Sequence, residues 1–273
     1  MGERASVAQW LVAPGSGFRL ADVDASATPG APGGKEATVA ASGEVHATLG
    51  ALQERLWAED ARSLLVVFQA MDAGGKDGTI KKVFTGVNPQ GVEVTSFKAP
   101  TDEELAHDFL WRVHAKTPAR GRIGIFNRSH YEDVLVARVH GLISDDERRA
   151  RYDRINEFER LLTGAGTTVV KVMLHISRDE QAERLRRRLE RPDKRWKFRK
   201  GDLAERERWD EYMVAFEDAI AATSTELAPW FVVPADKKWY RDWVVLQILV
   251  DALQKIDPQF PEPEEDLDGV VVR

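Results

Sequence analysis

An α/β fold follows from three features of this 273-residue chain. Short apolar runs of strand length alternate with longer segments of helical periodicity. The first run, "SLLVVF", is apolar almost throughout, and a glycine-rich turn joins it to a helix. Strands alternating with helices form a mostly parallel sheet covered on both faces, and continuous apolar runs suit strands buried on both sides. The expectation is a three-layer sandwich with a central parallel sheet of about five strands and a helical lid.

In chain order, residues 1–45 are rich in Gly, Ala, Pro and Ser and show little apolar periodicity, so they read as an extended N-terminal arm. From Glu44 to Asp60 the apolar positions Val45, Leu49, Leu52 and Leu56 recur at helical spacing. "SLLVVF" (63–68) is the first strand and "VEVTSF" (92–97) the second. "TDEELAHDFLWRVHA" (101–115) reads as one helix opened by a capping box, Thr101 with Glu104 three residues on. "RIGIF" (122–126) is a strand. "SDDERRARYDRINEFERLLTGAG" (144–166) is a helix capped by Ser144, with acids in its first turn and glycines past its end. "TTVVKVMLHIS" (167–177) and "WFVVPA" (230–235) complete the strands, and "KWYRDWVVLQILVDALQKI" (238–256) is the closing helix, its tryptophans equally suited to a core or an interface. Residues 178–229 contain no strand and read as two helices, 179–191 and 203–226, joined by "RPDKRWKFRKG". They form a lid insertion within a catalytic domain at 46–258. The Pro- and acid-rich segment 259–273 is a flexible tail, and no internal repeat is present.

Composition narrows the class. With 43% hydrophobic and 31% charged residues the chain is an ordinary globular protein, long enough for one large core. No apolar stretch approaches the roughly 18 residues of a membrane span, and no secretory leader is expected. Cysteine is absent, which excludes disulfides, thiolate zinc sites and cysteine nucleophiles and fits a cytoplasmic enzyme. A net charge of −6 argues against a nucleic-acid partner. Yet between Arg184 and Lys200 ten Lys or Arg residues stand against two acids. Such density suits a polyanion; a solvated face, lid anchors, or stacking through the interleaved Trp196 and Phe198 are the other readings.

The chemistry centres on "FQAMDAGGKDGTI" (68–80). A strand, a glycine turn and a helix aim backbone N–H groups and a positive dipole end at one spot. Gly74 and Gly75 permit close approach, and Lys76 supplies a point charge for phosphate oxygens. The usual P-loop has Ser or Thr after the lysine, where Asp77 stands here, so the carboxylate of Asp72 is the candidate Mg²⁺ ligand. The alternative is a plain βα turn with a solvated lysine. The second element is "RIGIFNRSHYEDV". Asn127 replaces the acid expected at a strand end beside a P-loop, and Arg128 follows with a guanidinium suited to phosphate. Glu132 and Asp133 are the nearest carboxylates; either restores the missing charge, Glu132 ahead of Asp133, or both are surface caps. His130 raises a phosphohistidine route against the more ordinary local hydrogen bond.

These stretches, from "LLVVFQAMDAGGKDGTIKKVF" to "GIFNRSHYEDVLVARVH" and the lid "LRRRLERPDKRWKF", resemble the polyphosphate kinase 2 family over roughly residues 8–258. The resemblance implies a P-loop kinase-like core that transfers phosphoryl groups between inorganic polyphosphate and nucleotides. Asp72, Lys76 and Arg128 match its catalytic positions. Gly74, Gly75, Lys76, Lys81, Lys82, Arg128, Arg184, Arg188, Arg191 and Lys194 are assigned to polyphosphate, and Asn127, His130, Glu132 and Asp133 to the nucleotide. Asp72, Asn127 and Glu132 are assigned to Mg²⁺, with Mn²⁺ as the alternative ion. "FNRSHYED" resembles the branch accepting AMP as well as ADP; guanine nucleotides are further candidates, and members commonly self-associate. Competing readings are an ATP-dependent nucleoside monophosphate kinase and a polyanion-binding module without turnover.

Overall fold

The computed structural model describes residues 7–263 and 270–272. Along the chain come β1 (Leu11–Val12), α1 (Lys35–Glu59), β2 (Ser63–Gln69), α2 (Lys76–Val83), β3 (Val92–Ser96), α3 (Asp102–Leu105) and α4 (Trp111–His114). There follow β4 (Ile123–Asn127), α5 (Glu132–Val139), α6 (Asp145–Gly164), β5 (Thr167–His175), α7 (Arg178–Glu190), α8 (Gly201–Glu207), α9 (Trp209–Thr223), β6 (Trp230–Pro234) and α10 (Lys238–Ile256). The strands form one sheet in the order β1-β6-β5-β2-β4-β3. All neighbours are parallel except β1, which runs antiparallel to β6 with Leu11 opposite Phe231. Every residue of β2 is buried, as a central strand covered on both faces requires.

Several expectations need correction. The sheet has six strands rather than five, because the arm contributes β1 and closes the edge beyond β6. The arm also ends early: residues 35–45 belong to α1. Ala37, Ala40 and Ala41 favour a helix without drawing an apolar stripe, so periodicity gives no signal there. The single helix expected at 101–115 is two short ones. Its capping box forms as expected at Thr101 and Glu104, but the Asp108 carboxylate accepts the Leu110 N–H at 3.0 Å and turns the chain out of helix. In the insertion, α9 buries Trp209, Tyr212, Phe216 and Ile220 and packs on α5 and α6, so it belongs to the core. Only α7's end, the turn after it and α8 overhang the sheet. The tryptophans of α10 serve the core: Trp243 packs edge-on against Trp10 of the arm, with ring centroids 5.9 Å apart. Part of the tail, 264–269 and 273, and residues 1–6 of the arm lie outside the described residues.

Candidate active site at the ends of β2 and β4

The central strands β2 and β4 pair in register, Phe68 opposite Asn127, so the turns that follow them emerge side by side at the carboxyl edge of the sheet. That edge is where open α/β sheets bind ligands. The first turn, 70–75, is held in shape by exclusion. A Cβ at Gly74 would lie 2.5 Å from the Ala70 Cβ. Gly75 has φ +104, and a Cβ there would lie 2.2 Å from Arg241 Nη1. Ala73 takes φ +61 without being glycine. Its carbonyl and that of Gly74 accept hydrogen bonds from Arg184 Nη1 at 3.2 and 2.9 Å, while Gln181 Nε2 donates to the Asp72 carbonyl at 2.9 Å. Helix α2 then starts at Lys76, whose first-turn N–H groups have no intrahelical acceptor and face an incoming anion.

Lys76 is buried, and its Nζ donates to the Ala70 carbonyl at 2.9 Å. Burial lowers its pKa, and the nearby Arg128 charge lowers it further, against the pull of Asp72 and Glu132. From the second turn, Arg128 Nη2 donates to Asp72 Oδ1 at 2.8 Å, while Nη1 lies 3.8 Å from Glu132 Oε2. One guanidinium thus sits between two carboxylates. Burial pushes the Glu132 carboxyl above the usual carboxylate range, although Arg128 and Lys76 pull it down. Arg128 itself has φ +64, a second strained non-glycine residue facing the first.

Above this junction sits the overhang. Asn127 Nδ2 donates to Asp77 Oδ1 at 2.9 Å, and Lys197 of the lid turn donates to Asp77 Oδ2 at 3.0 Å. Burial opposes ionisation of Asp77, but Asn127 and Lys197 outweigh it and hold its carboxyl below the usual range. Arg188 approaches Asp202 at 3.5 Å. Burial raises the Asp202 pKa, and the neighbouring charge of Asp72 adds to it.

The structure therefore gathers Asp72, Gly74, Gly75, Lys76, Asn127, Arg128 and Glu132 in one place. It does not gather everything. His130 is wholly buried, with Nε2 3.4 Å from Glu159 in the core, apart from the residues gathered at the junction. The residue after a positive-φ turn changes face, and spacing alone does not report it. Asp133 meets Arg112 at 3.5 Å on the far side of α5's first turn. Arg184 is not a free lid cation: besides the loop carbonyls it donates to Ala235 and Asp236 carbonyls at 2.6 and 3.1 Å, tying the loop to the end of β6. Arg191 and Lys194 are exposed and lean on Asp193. Lys81 and Lys82 are exposed on α2. Sequence reasoning missed Gln181, Lys197 and Arg241. Arg241 had a signal, since it stands in the first turn of the helix that follows a parallel strand's carboxyl end.

Known proteins resemble this chain over most of its length. The model of the family described as Polyphosphate kinase 2 matches residues 34–261. An AMP/ADP-polyphosphate phosphotransferase of Meiothermus ruber is 52% identical over 264 residues, covering 97% of this chain and 99% of that protein. An ADP-polyphosphate phosphotransferase of Rhodopseudomonas palustris is 45% identical over 223 residues, covering 77% of each. The crystal structure of a polyphosphate kinase 2 from Arthrobacter aurescens TC1 superposes with a TM-score of 0.93 at 50% identity, covering 96% of this chain and 94% of that one.

Proposed function

This chain belongs to the polyphosphate kinase 2 family, and from that premise we propose that it moves phosphoryl groups between inorganic polyphosphate and adenine nucleotides, AMP as well as ADP. The observation that carries the reading is the junction of the two turns, where buried Lys76 at the start of α2 lies within electrostatic reach of Arg128, Asp72 and Glu132. The name of the Meiothermus ruber relative supports both acceptors, and the amide at Asn127 agrees with it.

In the forward direction an oxygen of the nucleotide's terminal phosphate attacks the end phosphorus of the chain. The new P–O bond forms as the bridging P–O bond of polyphosphate breaks, and the shortened chain leaves as an anion. The nucleophile is already anionic, so no strong base is required. Lys76, Arg128 and the α2 amides neutralise charge on the transferring oxygens, and Asp72 orients Arg128 and the acceptor. Among the described residues no three carboxylates or imidazoles converge into a closed metal cage. Mg²⁺ asks for less: it keeps waters and phosphate oxygens and takes one or two carboxylates. Asp72 and Glu132, on either side of one guanidinium, fit that role, and Asn127, next to Arg128 in the chain, is the remaining candidate. When bound, the ion, Mg²⁺ or Mn²⁺, supplies further charge neutralisation at the phosphates.

The same reading places the protein in the cytoplasm and as a homo-oligomer, the latter decided by light scattering of the purified chain. Among the described residues no helix is long and apolar enough to cross a membrane. The function is tested by offering AMP, ADP and GDP separately with polyphosphate, with Mg²⁺ and with a chelator. AMP and ADP are expected to be phosphorylated without added ATP and to stop reacting in chelator; the GDP arm measures base selectivity. Reaction of ADP with AMP untouched would remove the AMP assignment, and a requirement for ATP as donor would replace polyphosphate altogether.

A further inference from the structure

Beneath the site lies a polar cluster the transfer reaction does not use. Glu159 of α6 and Lys171 of β5 are wholly buried and paired at 2.5 Å. The Glu159 carboxylate also accepts from Tyr131 Oη at 2.9 Å and lies 3.4 Å from His130 Nε2. Lys171 Nζ donates to Tyr131 Oη at 3.0 Å and to the Thr223 carbonyl at 2.7 Å, and Tyr131 Oη, its one proton directed to Glu159, lies 3.0 Å from Thr223 Oγ1. All five side chains are shielded from solvent. A buried ion pair is a weak stabiliser, since desolvating two charges offsets their attraction, and apolar residues of similar volume often serve as well. Stability therefore does not account for the cluster.

Its connections do. His130 and Tyr131 are the second and third residues after Arg128, which holds φ +64. Such a conformation costs on the order of 1–3 kcal/mol in a non-glycine residue and persists where surrounding structure over-determines it. On its other side the turn is tied to the end of β2: Arg128 N donates to the Phe68 carbonyl at 3.1 Å, and Gln69 Nε2 donates to Ser129 Oγ at 3.1 Å. The turn is thus clamped from both ends, and the inner clamp closes on one carboxylate. Burial would raise the Glu159 pKa, but Lys171 and His130 outweigh it and keep the carboxylate ionised.

We infer that Glu159, charge-balanced by Lys171, is a positioning residue: through His130 and Tyr131 it holds the strained Arg128 turn in the pose that delivers the guanidinium to the transferring phosphate. The inference rests on the phosphotransferase reading above.

Two variants test it. Tyr131→Phe removes one hydroxyl from the clamp and leaves the ion pair intact. The double variant Glu159→Met/Lys171→Met removes both charges together, avoiding the unpaired lysine that Glu159→Gln would leave in the core. Each is assayed for melting temperature, kcat and KM, alone and combined with Arg128→Ala. A misplaced catalytic group costs kcat. The expected result is a kcat lower by about tenfold for Tyr131→Phe and up to about a hundredfold for the double variant, with KM for nucleotide and polyphosphate within about twofold. In the Arg128→Ala background neither should lower kcat further. A purely structural cluster would lower the melting temperature and leave kcat of the folded protein unchanged, or would multiply its loss onto that of Arg128→Ala; either outcome overturns the inference. If the double variant does not fold, Tyr131→Phe decides by the same two criteria. A wild-type chain without polyphosphate-dependent transfer would instead overturn the proposed function.

Discussion

Glu132 shows how the site trades stability for charge. Burial raises its pKa, so the folded chain holds that proton more tightly than the unfolded chain does. The stabilising contribution is full below the ordinary carboxylate range and is lost as pH rises through the raised value. Ionising this carboxylate beside Arg128 is therefore a cost to the fold. Two results follow. The acid limb of the pH–activity profile is expected above the usual carboxylate range. Glu132→Gln is expected to lower transfer about tenfold or more while raising, not lowering, the melting temperature at pH 7. A melting temperature that falls at pH 7 would place Glu132 among the structural carboxylates. At this scale the sequence was readable where chemistry is local. Asp72, Gly74, Gly75 and Lys76 lie within one strand–turn–helix, and Arg128 directly follows a strand. The partners of His130 and Arg184 were not legible, because they come from α6 and from the end of β6, far away in sequence.

At the scale of elements, the lid turn and α2 meet through one ion pair, Lys197 with Asp77, which Asn127 steadies from below. Asp77 stands where a P-loop usually has Ser or Thr, and here its carboxylate accepts from Lys197 and Asn127. The pair is exposed on the Asp77 side, so it adds about 0–1 kcal/mol to global stability. Its weight falls on the lid. Asp77→Asn is expected to leave the melting temperature nearly unchanged while speeding amide exchange several-fold across residues 191–200. Unchanged exchange there would mean that the lid turn is held by other contacts. Element identities were largely legible: β2, β5 and α10 carry strong apolar patterns and fell within a residue or two of expectation. β1 was not legible, because two residues carry no period, and its pairing with β6 joins positions more than two hundred residues apart. The split of α3 from α4 turned on one Asp108 side chain competing with the helix, a local choice that a capping box upstream conceals.

Across the whole molecule the arrangement has one logic. Parallel strands bring two polar turns to the same edge, α7 and the end of β6 brace the first turn through Arg184, and the core beneath β4 and β5 braces the second. Lys76 and Arg128 both stand on braced turns, and phosphoryl groups are expected to pass from donor to nucleotide without resting on the protein. That is tested most directly by a single turnover with end-labelled radioactive polyphosphate and unlabelled AMP, quenched at intervals. Label is expected to leave the chain and appear in the β-phosphate of ADP with matching rates and with no labelled protein at any time. An acid-labile labelled protein that forms and decays before ADP appears would contradict it.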